Sequence, residues 1–537
     1  MSSLRHVIAR RTACLSAMAL LVQGCGAAQA RQEPATVPGP EVALDSGMVR
    51  GVDDGDVLRY RGIRYARPPV GQLRWRPPQP MARWRGVVPA TASGPACPQD
   101  NGNPKERSDA EDCLTLDVTV PKEGAKRKPV MVWLHGGGFV AGRGADYDPR
   151  RLAAQGDVVV VTVEFRLGVL GYLALPGMAG GGTFGLQDQQ AALRWVQRNA
   201  AAFGGDAGNV TLFGESGGGI ATCGHLTAPG SRGLFAKAII QSGSCGTVLL
   251  PMGGAPRLPF WRSMKESRAA TRTAATRLGC PAGRDTAQTL ACLRGKPVKE
   301  LLSQTGLFQA AAYGGRALPA SPERALRAGD FARVPVLSGH TSKEALLFAA
   351  TLGLAGSPIT DENLPALVRE GFGSRADDIA RRYSREDYAT ASEAWAAPYT
   401  DAVFACPHAE DRDALARRVP VYAYVFGDDT VPPFIPSLPG FPAGAGHASE
   451  LLYLFDVKDK PISLDGKRVP LTALQQSVAR DMVAAWTSFA RSGTPSVGGK
   501  PWPRWAPKAG SGRVARLVTE RPGSTATTPA PACDHFN

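Results

Sequence analysis

Short apolar runs rich in β-branched residues alternate with amphipathic stretches along most of the chain. Six of these runs predict buried strands, over residues 129–134, 158–165, 209–213, 236–240, 334–337 and 421–426. Strands that are apolar on both faces are typical of a parallel sheet covered by helices. Between them, helical periodicity is clearest over 188–203 and 472–491. The pattern therefore predicts an α/β fold with a mostly parallel central sheet and helices on both faces.

Two long segments interrupt the succession of strands. Residues 252–333 and 360–409 have helical and irregular patterns, and we expect them to be cap insertions that form the wall of a substrate pocket. No internal repeat and no Gly/Ser linker divides the chain, so a single domain is expected over residues 31–537. Its first residues, 31–40, are proline-rich and are expected to lack regular structure.

The N-terminal residues have the pattern of a signal peptide. Three arginines precede an apolar run over residues 12–22, and a small-x-small sequence follows at 28–30. The run is too short to span a bilayer, and no later segment is long enough either. We expect cleavage after residue 30 and export, to the periplasm or the medium. The alternative is lipidation of Cys25, which is less favoured because Gln23 stands where a lipoprotein signal usually has a small residue.

Composition excludes several classes of protein. With 43% hydrophobic and 20% charged residues the chain is globular, and its net charge of +15 comes from scattered arginines without a basic, aromatic stripe, which argues against nucleic-acid binding. Eight cysteines remain after the leader, an even number, and none has the spacing of a zinc site. Disulfides are therefore expected, and no metal or cofactor.

The first chemical motif is Gly214-Glu215-Ser216-Gly217-Gly218, a GxSxG sequence. It follows directly after the predicted strand 209–213 and precedes a helical stretch. A serine on a sharp turn from strand to helix needs glycines on both sides, because the two limbs of the chain come too close for side chains. This context predicts an α/β-hydrolase fold with Ser216 as the nucleophile.

A second motif, His135-Gly136-Gly137-Gly138-Phe139, follows the predicted strand 129–134. Consecutive glycines let backbone N–H groups point at the oxyanion of a tetrahedral intermediate. We assign the N–H groups of Gly137, Gly138 and Gly217 to the oxyanion hole. His135 is expected to be structural.

A serine nucleophile needs a histidine base and a carboxylate that orients it, in the chain order serine, acid, histidine. His447 lies in a glycine-rich loop after the strand 421–426 and is the expected base. Glu344, after the strand 334–337, is the expected acid. The rival acids Asp330 and Glu323 precede that strand, at the wrong end of the sheet. Among the other histidines, packing or exposure better explains His225 and His535, whereas position alone does not dismiss His340 and His408.

With these motifs the chain resembles the type-B carboxylesterase family, which includes cholinesterases, bacterial para-nitrobenzyl esterases and the non-enzymatic neuroligins. The resemblance runs from about residue 49 to the C-terminus and includes the sequences at 62–71, 111–114, 165–168, 185–189 and 203–206. It implies the α/β-hydrolase fold, ester hydrolysis, and the triad Ser216, Glu344 and His447.

The resemblance also implies pairings. It implies disulfides between Cys97 and Cys113, between Cys280 and Cys292, and between Cys406 and Cys533; Cys223 and Cys245 have no such support but flank the nucleophile helix, where they could form a fourth bridge. It further implies that Arg74 with Glu111, and Arg166 with Asp188, form structural ion pairs and are not site residues.

Two residues depart from the family pattern. Gly217 stands where alanine is common, and Lys343-Glu344-Ala345 replaces the usual Asp-Glu-Gly. The loop from Cys97 to Cys113 has no aromatic residue, which disfavours a cholinesterase.

The predicted reaction is cleavage of a small-molecule carboxylic ester through an acyl-enzyme on Ser216. The alternatives are an amidase or a specialised detoxifying esterase on the same triad, and a neuroligin-like adhesion module. The retained serine argues against adhesion. Neither the ester nor the oligomeric state follows from the sequence.

Overall fold

The structure of the chain is a computed structural model. The structure describes residues 37–100, 106–124, 126–283, 285–432, 441–442, 444–458, 469–506, 514–517, 533 and 536. The predicted signal peptide and Cys25 lie outside the described residues. Among the helices of the described ranges, none is both long and apolar enough to cross a bilayer.

The regular elements of the described chain are short strands and helices in alternation. The strands are β1 (Val37–Ala43), β2 (Met48–Asp54), β3 (Val57–Arg64), β4 (Val87–Pro89), β5 (Thr115–Pro121), β6 (Lys128–Leu134), β7 (Tyr147–Asp148), β8 (Val159–Val163), β9 (Gly205–Glu215), β10 (Lys237–Gln241), β11 (Val248–Leu249), β12 (Leu258–Pro259), β13 (Trp261–Ser263), β14 (Ala311–Tyr313), β15 (Val336–Thr341), β16 (Val421–Phe426), β17 (Asp456–Val457), β18 (Ser496–Val497), β19 (Lys500–Pro501) and β20 (Ala515–Leu517). The α-helices are α1 (Arg150–Gly156), α2 (Gly168–Tyr172), α3 (Phe184–Asn199), α4 (Gly217–Thr227), α5 (Met264–Arg277), α6 (Thr286–Gly295), α7 (Val298–Leu302), α8 (Pro322–Ala328), α9 (Leu346–Leu354), α10 (Leu364–Phe372), α11 (Ala376–Arg382), α12 (Ala391–Thr400), α13 (Cys406–Ala416), α14 (Leu451–Leu454) and α15 (Ala473–Ser492).

Most of the larger strands form one sheet. Its order is β1-β2-β3-β5-β8-β6-β9-β10-β15-β16-β20, with β4 beside β2. The strands from β8 to β20 in this order run parallel, whereas β1, β2, β3, β5 and β8 are joined by antiparallel pairings. The prediction of a mostly parallel sheet with helices on both faces is confirmed.

Strand β6 shows how this sheet is built from its sequence. All seven of its residues are buried. Val130, Val132 and Leu134 belong to the core on one face, with residues of α3 and α4, whereas Met131 and Trp133 belong to the core on the other face, with residues of α15. Because successive side chains point to opposite faces, a strand covered on both sides is apolar on both, as β6 is from Pro129 to Leu134, while Lys128 at its start pairs with Asp157.

The N-terminal end of the sheet corrects one prediction. Residues 37–40 were expected to lack regular structure, but they belong to β1, while residues 31–36 lie outside the described residues. Strand β1 is an edge strand with an irregular register between Pro38 and Glu41. Proline is tolerated at such an edge, because its missing N–H need not complete a ladder. The proline-rich composition therefore did not exclude a strand.

Covalent and ionic ties reinforce the loops around the sheet. Disulfides join Cys97 to Cys113, Cys280 to Cys292 and Cys406 to Cys533, and a fourth joins Cys223 to Cys245, the pair that the sequence left open. Arg74 pairs with Glu111 and Arg166 with Asp188, in both cases with little or no exposure of the side chains.

The two predicted insertions are rich in helices. Segment 252–333 contains α5 to α8, and segment 360–409 contains α10 to α12 and the start of α13.

Candidate active site

The carboxyl ends of four parallel strands bring the predicted site residues to one edge of the sheet. Ser216 follows β9, the glycines at 136–138 follow β6, Glu344 follows β15, and His447 lies in the connection after β16. Ligand sites of open α/β sheets form at this edge. Sequence motifs that are far apart along the chain therefore meet in space.

Ser216 occupies a strained turn. Its φ of 55° and ψ of −122° lie outside the regions that residues with side chains usually adopt, and α4 begins at the next residue. Such a conformation costs about 1–3 kcal/mol and persists where its surroundings enforce it. A Cβ atom on Gly218 would lie 1.9 Å from the Leu134 carbonyl oxygen, and one on Gly214 would lie 2.5 Å from the Gly218 carbonyl carbon. The two flanking glycines are therefore required by close backbone approach.

The glycine loop after β6 packs directly on this turn. Gly137 and Gly138 have φ values of 100° and 59°, and their N–H groups donate no hydrogen bond within the described part of the chain. A Cβ atom on Gly217 would lie only 2.9 Å from the Gly138 nitrogen. Glycine in place of the family's common alanine thus lets the loop approach the start of α4 closely. As the first residue of α4, Gly217 also has no intrahelical partner for its N–H.

Glu344 and His447 form a tightly bonded pair. The His447 Nδ1 lies 2.6 Å from Oε2 of Glu344, and the other oxygen of that carboxylate accepts the Thr341 N–H at 2.8 Å. The backbone N–H of His447 donates to the Glu344 carbonyl at 3.1 Å. Both side chains are buried. Because the carboxylate can only accept, the Nδ1 of His447 carries a proton and the lone pair of a neutral imidazole is on Nε2.

A second carboxylate lies on the other side of the imidazole. Oε1 of Glu215, the residue before Ser216, is 3.2 Å from the His447 Nε2. Both Ser216 and His447 are described, and no hydrogen bond joins the serine hydroxyl to the imidazole. In unliganded enzymes such bonds are often long and tighten only when substrate binds.

Burial and charge set the protonation of this cluster. Burial lowers the pKa of His447, but the carboxylates of Glu215 and Glu344 outweigh it and raise that pKa to about 9. Burial raises the pKa of Glu344, yet the adjacent imidazole outweighs it, so the pKa is lowered. Burial and repulsion between the carboxylates raise the pKa of both Glu215 and Glu450, while the positive charge of the His447 imidazolium acts in the opposite direction and favours their ionised forms. The site thus holds an imidazole whose charged form is favoured.

Glu215 and Glu450 were not predicted from the sequence as site residues. Glu450 follows His447 by three residues and lies 3.3 Å from the Gln241 amide nitrogen, while Gln241 accepts the Trp486 indole N–H at 3.0 Å. The sequence signal available for these two residues was their position. Glu215 is inside the GxSxG motif, and Glu450 lies in the same loop as His447, the predicted base.

Aromatic rings surround the site on two sides. Phe348 and Phe404 lie 5.5 and 5.2 Å from the His447 ring, centroid to centroid. On the side of the glycine loop, Phe260 contacts Phe139, and a Cβ atom on Gly138 would lie 3.8 Å from the Phe260 ring. The His447 imidazole and the glycine loop are therefore bordered by apolar rings, besides the buried carboxylates of the cluster.

The structure separates the remaining candidate residues from this cluster. Asp330 and Glu323 form exposed ion pairs with Arg232 and Arg327. The described histidines other than His447 have other bonding or stacking partners, although the charge of Glu344 also acts on His340: His135 stacks on Phe165, His225 bonds to Gln189 and Ser231, His340 to the Thr341 carbonyl, and His408 to Gly243 and Ser338. His535 lies outside the described residues.

One group of potential metal ligands occurs in the described part of the chain, formed by Cys223, Cys245 and Asp411. The two cysteines of this group are joined in a disulfide, so their sulfur atoms are not thiolate ligands.

The fold, with a serine at the strand-to-helix turn, a glycine loop beside it and a carboxylate–histidine pair at the same edge, is that of an α/β-hydrolase. The sequence profile of the carboxylesterase family matches residues 38–525. A para-nitrobenzyl esterase of Bacillus subtilis (strain 168) is 34% identical over 86% of this chain and 92% of its own, and an acylcarnitine hydrolase of Mus musculus is 32% identical over 83% and 81%. A solved para-nitrobenzyl esterase structure superimposes with a TM-score of 0.72 at 31% identity, covering 92% of this chain and 98% of that one.

The chain therefore belongs to the carboxylesterase family, and its reaction is the hydrolysis of carboxylic esters. This confirms the resemblance drawn from the motifs and the expectation of an enzyme.

Proposed function

We propose that the enzyme cleaves its ester in two steps through an acyl-enzyme on Ser216. His447 accepts the serine proton on Nε2 while the oxygen attacks the ester carbonyl, and the oxyanion is held by the N–H groups of Gly137, Gly138 and Gly217. The imidazolium returns the proton to the leaving alcohol. Water, deprotonated by the same imidazole, then attacks the acyl group and releases the acid and the free serine.

The pairing of Glu344 with His447 at 2.6 Å is the observation that supports this proposal most strongly. It orients the imidazole and leaves Nε2 as the only nitrogen able to accept a proton. When that proton arrives, the imidazolium lies between two carboxylates, because Glu215 is 3.2 Å from Nε2. Opposite charges at this distance stabilise the charge that develops in the transition state.

The proposed substrate is an uncharged ester with apolar groups on both sides of the scissile bond. Phe348 and Phe404 beside the base, and Phe260 beside the glycine loop, support apolar walls. The buried carboxylates of the site would repel an anionic group placed near the imidazole. The relatives' names refer to para-nitrobenzyl and acylcarnitine esters, and both leaving groups belong in the test panel.

The test is hydrolysis of para-nitrophenyl esters of graded acyl length by the wild type and two serine variants. Ser216→Ala is expected to lower kcat by at least about 10⁴-fold, since the nucleophile is lost. Ser303→Ala is the matched control, because its exposed hydroxyl bonds only locally, donating to the Glu300 carbonyl and accepting from the Gln304 amide, and it should retain wild-type activity. Activity retained by Ser216→Ala would refute the proposal, and anilides cleaved as fast as the esters would make the enzyme an amidase.

We also propose that the mature protein is exported. Four disulfides favour an oxidising compartment, and the N-terminal pattern is that of a signal peptide. The intact mass of protein purified from the native host tests this. Loss of residues 1–30 is expected; a mass that retains the leader would contradict export, and a diacylated Cys25 would replace soluble export by a membrane anchor.

A further inference from the structure

The backbone of the nucleophile turn rests on one short segment. Residues 242–247, here called the support segment, follow β10, which pairs with β9 beside Ser216. The Ser216 N–H donates to the Gln241 carbonyl at 2.9 Å. A Cβ atom on Gly243 would lie 2.4 Å from the Ser216 carbonyl oxygen, so the two backbones are in direct contact. A shift of the support segment would therefore move the nucleophile.

The support segment is itself strained. Ser242 has a φ of 49°, in the left-handed region that residues with side chains rarely adopt. A strained residue thus lies on each side of the contact, because Ser242 directly precedes Gly243, which meets the Ser216 carbonyl. Strain of this kind persists only where surrounding contacts enforce it.

Helix α13 supplies those contacts through two side chains one turn apart. The Gly243 N–H donates to Nε2 of His408 at 3.1 Å, and the Cys245 N–H donates to the Asp411 carboxylate at 2.6 Å. Both side chains are buried. The disulfide between Cys245 and Cys223 also ties the segment to α4, the helix that begins after Ser216. The segment is thereby fixed from two directions.

His408 is the contact nearest to Ser216 and has a defined protonation state. Because Nε2 accepts a backbone N–H, the ring proton is on Nδ1, where it donates to the Ser338 hydroxyl at 2.7 Å. Burial lowers the pKa of His408 well below its usual value, and Arg412 and His340 lower it further. The imidazole therefore stays neutral and keeps its acceptor.

We propose that His408 is a positioning residue of the esterase, which holds Gly243 against the Ser216 carbonyl and so fixes the reactive orientation of the serine. It does not touch the substrate. This inference rests on the proposed role of Ser216 as the nucleophile. A displacement of a reacting group by about 1 Å can cost about 100-fold in rate. The orientation of Ser216 matters both for its attack on the ester and for hydrolysis of its acyl group, so loss of the His408 acceptor should lower both rates, and with them kcat, while substrate binding is kept.

The test compares His408→Leu with His408→Gln by active-site titration and pre-steady-state burst kinetics on a para-nitrophenyl ester. His408→Leu should lower kcat per titrated site by about 10- to 100-fold with KM within about threefold. His408→Gln should keep kcat within about threefold, because the glutamine amide reaches the position of Nε2 and can accept the Gly243 N–H. A purely structural role would lower the fraction of titratable sites and leave kcat per site unchanged.

His225→Leu is the matched control, since His225 is also buried and bonded twice but lies at the far end of α4. It should lose stability and keep kcat per site. If His408→Leu does not fold, His408→Asn replaces it in the comparison. The shorter amide of asparagine reaches the position of the Nδ1 of His408 and not of its Nε2. His408→Asn should therefore have a lower kcat per site, whereas His408→Gln should not. Equal kcat per site in wild type, Gln and Leu or Asn variants would overturn the inference, whereas normal turnover by Ser216→Ala would overturn the proposed function.

Discussion

Replacing Glu344 by glutamine should invert the tautomer of the His447 imidazole. One carboxylate oxygen of Glu344 accepts the Thr341 N–H at 2.8 Å, and the other faces the His447 Nδ1 at 2.6 Å. In Glu344→Gln only the amide oxygen can accept from Thr341, so the amide NH₂ faces Nδ1. That nitrogen must then become the acceptor, and the ring proton moves to Nε2.

Glu215 strengthens this effect. Its Oε1 lies 3.2 Å from Nε2 of His447 and would accept the misplaced proton, which stabilises the inactive tautomer. The equivalent change in the Ser-His-Asp triad of serine proteases lowers kcat by about 10⁴-fold while the geometry is kept. We therefore expect a decrease in kcat of about 10³- to 10⁴-fold in Glu344→Gln, with KM changed by less than about threefold.

The assay is single-turnover hydrolysis of a para-nitrophenyl ester, with far-ultraviolet circular dichroism to show that the variant is folded. Asp330→Asn is the control, because Asp330 is the rival acid and lies at the surface in a pair with Arg232; it should match the wild type. A fully active Glu344→Gln, or a larger loss in Asp330→Asn, would refute the assignment of the acid.

Three further variants test the neighbourhood of the site. Glu215→Gln removes one of the carboxylates that raise the pKa of His447 to about 9. Only the neutral imidazole accepts a proton, so the kcat/KM of the wild type should still rise between pH 7 and 9. In the variant this rise should occur at lower pH, because the pKa of His447 is lower. An unshifted pH profile would contradict this. Arg166→Met leaves the unexposed Asp188 carboxylate without its partner. The free energy of unfolding, measured by urea titration, should fall by about 3–5 kcal/mol, while kcat per active site stays unchanged. A variant as stable as the wild type would show that the pair contributes nothing to stability. Gly217→Ala places a methyl group 2.9 Å from the Gly138 nitrogen and should lower kcat by about tenfold, because the glycine loop must shift. Equal activity would show that the methyl group is accommodated without displacing the N–H groups of the loop.

Much of the parallel sheet could be predicted because of how it is buried. A strand covered on both faces must be apolar throughout, and β6 and β16 stand out as such runs in the sequence. The antiparallel strands at the N-terminal edge are different. Strand β2 contains Arg50, Asp53 and Asp54 among its seven residues, and β1 contains two prolines, so neither has a continuous apolar signal.

The site residues also differ in how far the sequence predicts them. Ser216 and the glycines around it could be predicted because backbone crowding restricts which residues fit the turn, and that restriction appears as a local motif. The approach of Glu215 to His447 has no local signal, since it depends on where a loop more than 200 residues later meets the end of β9. His408 was not separated from the possible bases by sequence position alone, and only its bonds to Gly243 and Ser338 assign it a different place.

The most direct test of the account is to locate the acyl group. The enzyme is mixed with a para-nitrophenyl ester of a bulky acyl group whose acyl-enzyme is hydrolysed slowly, quenched in acid within the burst phase, digested and analysed by tandem mass spectrometry. We predict that the mass of one acyl group appears on Ser216 in the peptide containing Gly214 to Gly218, and that it disappears as the acid product is released. An acyl group on another residue, or none during a measurable burst, would contradict the account.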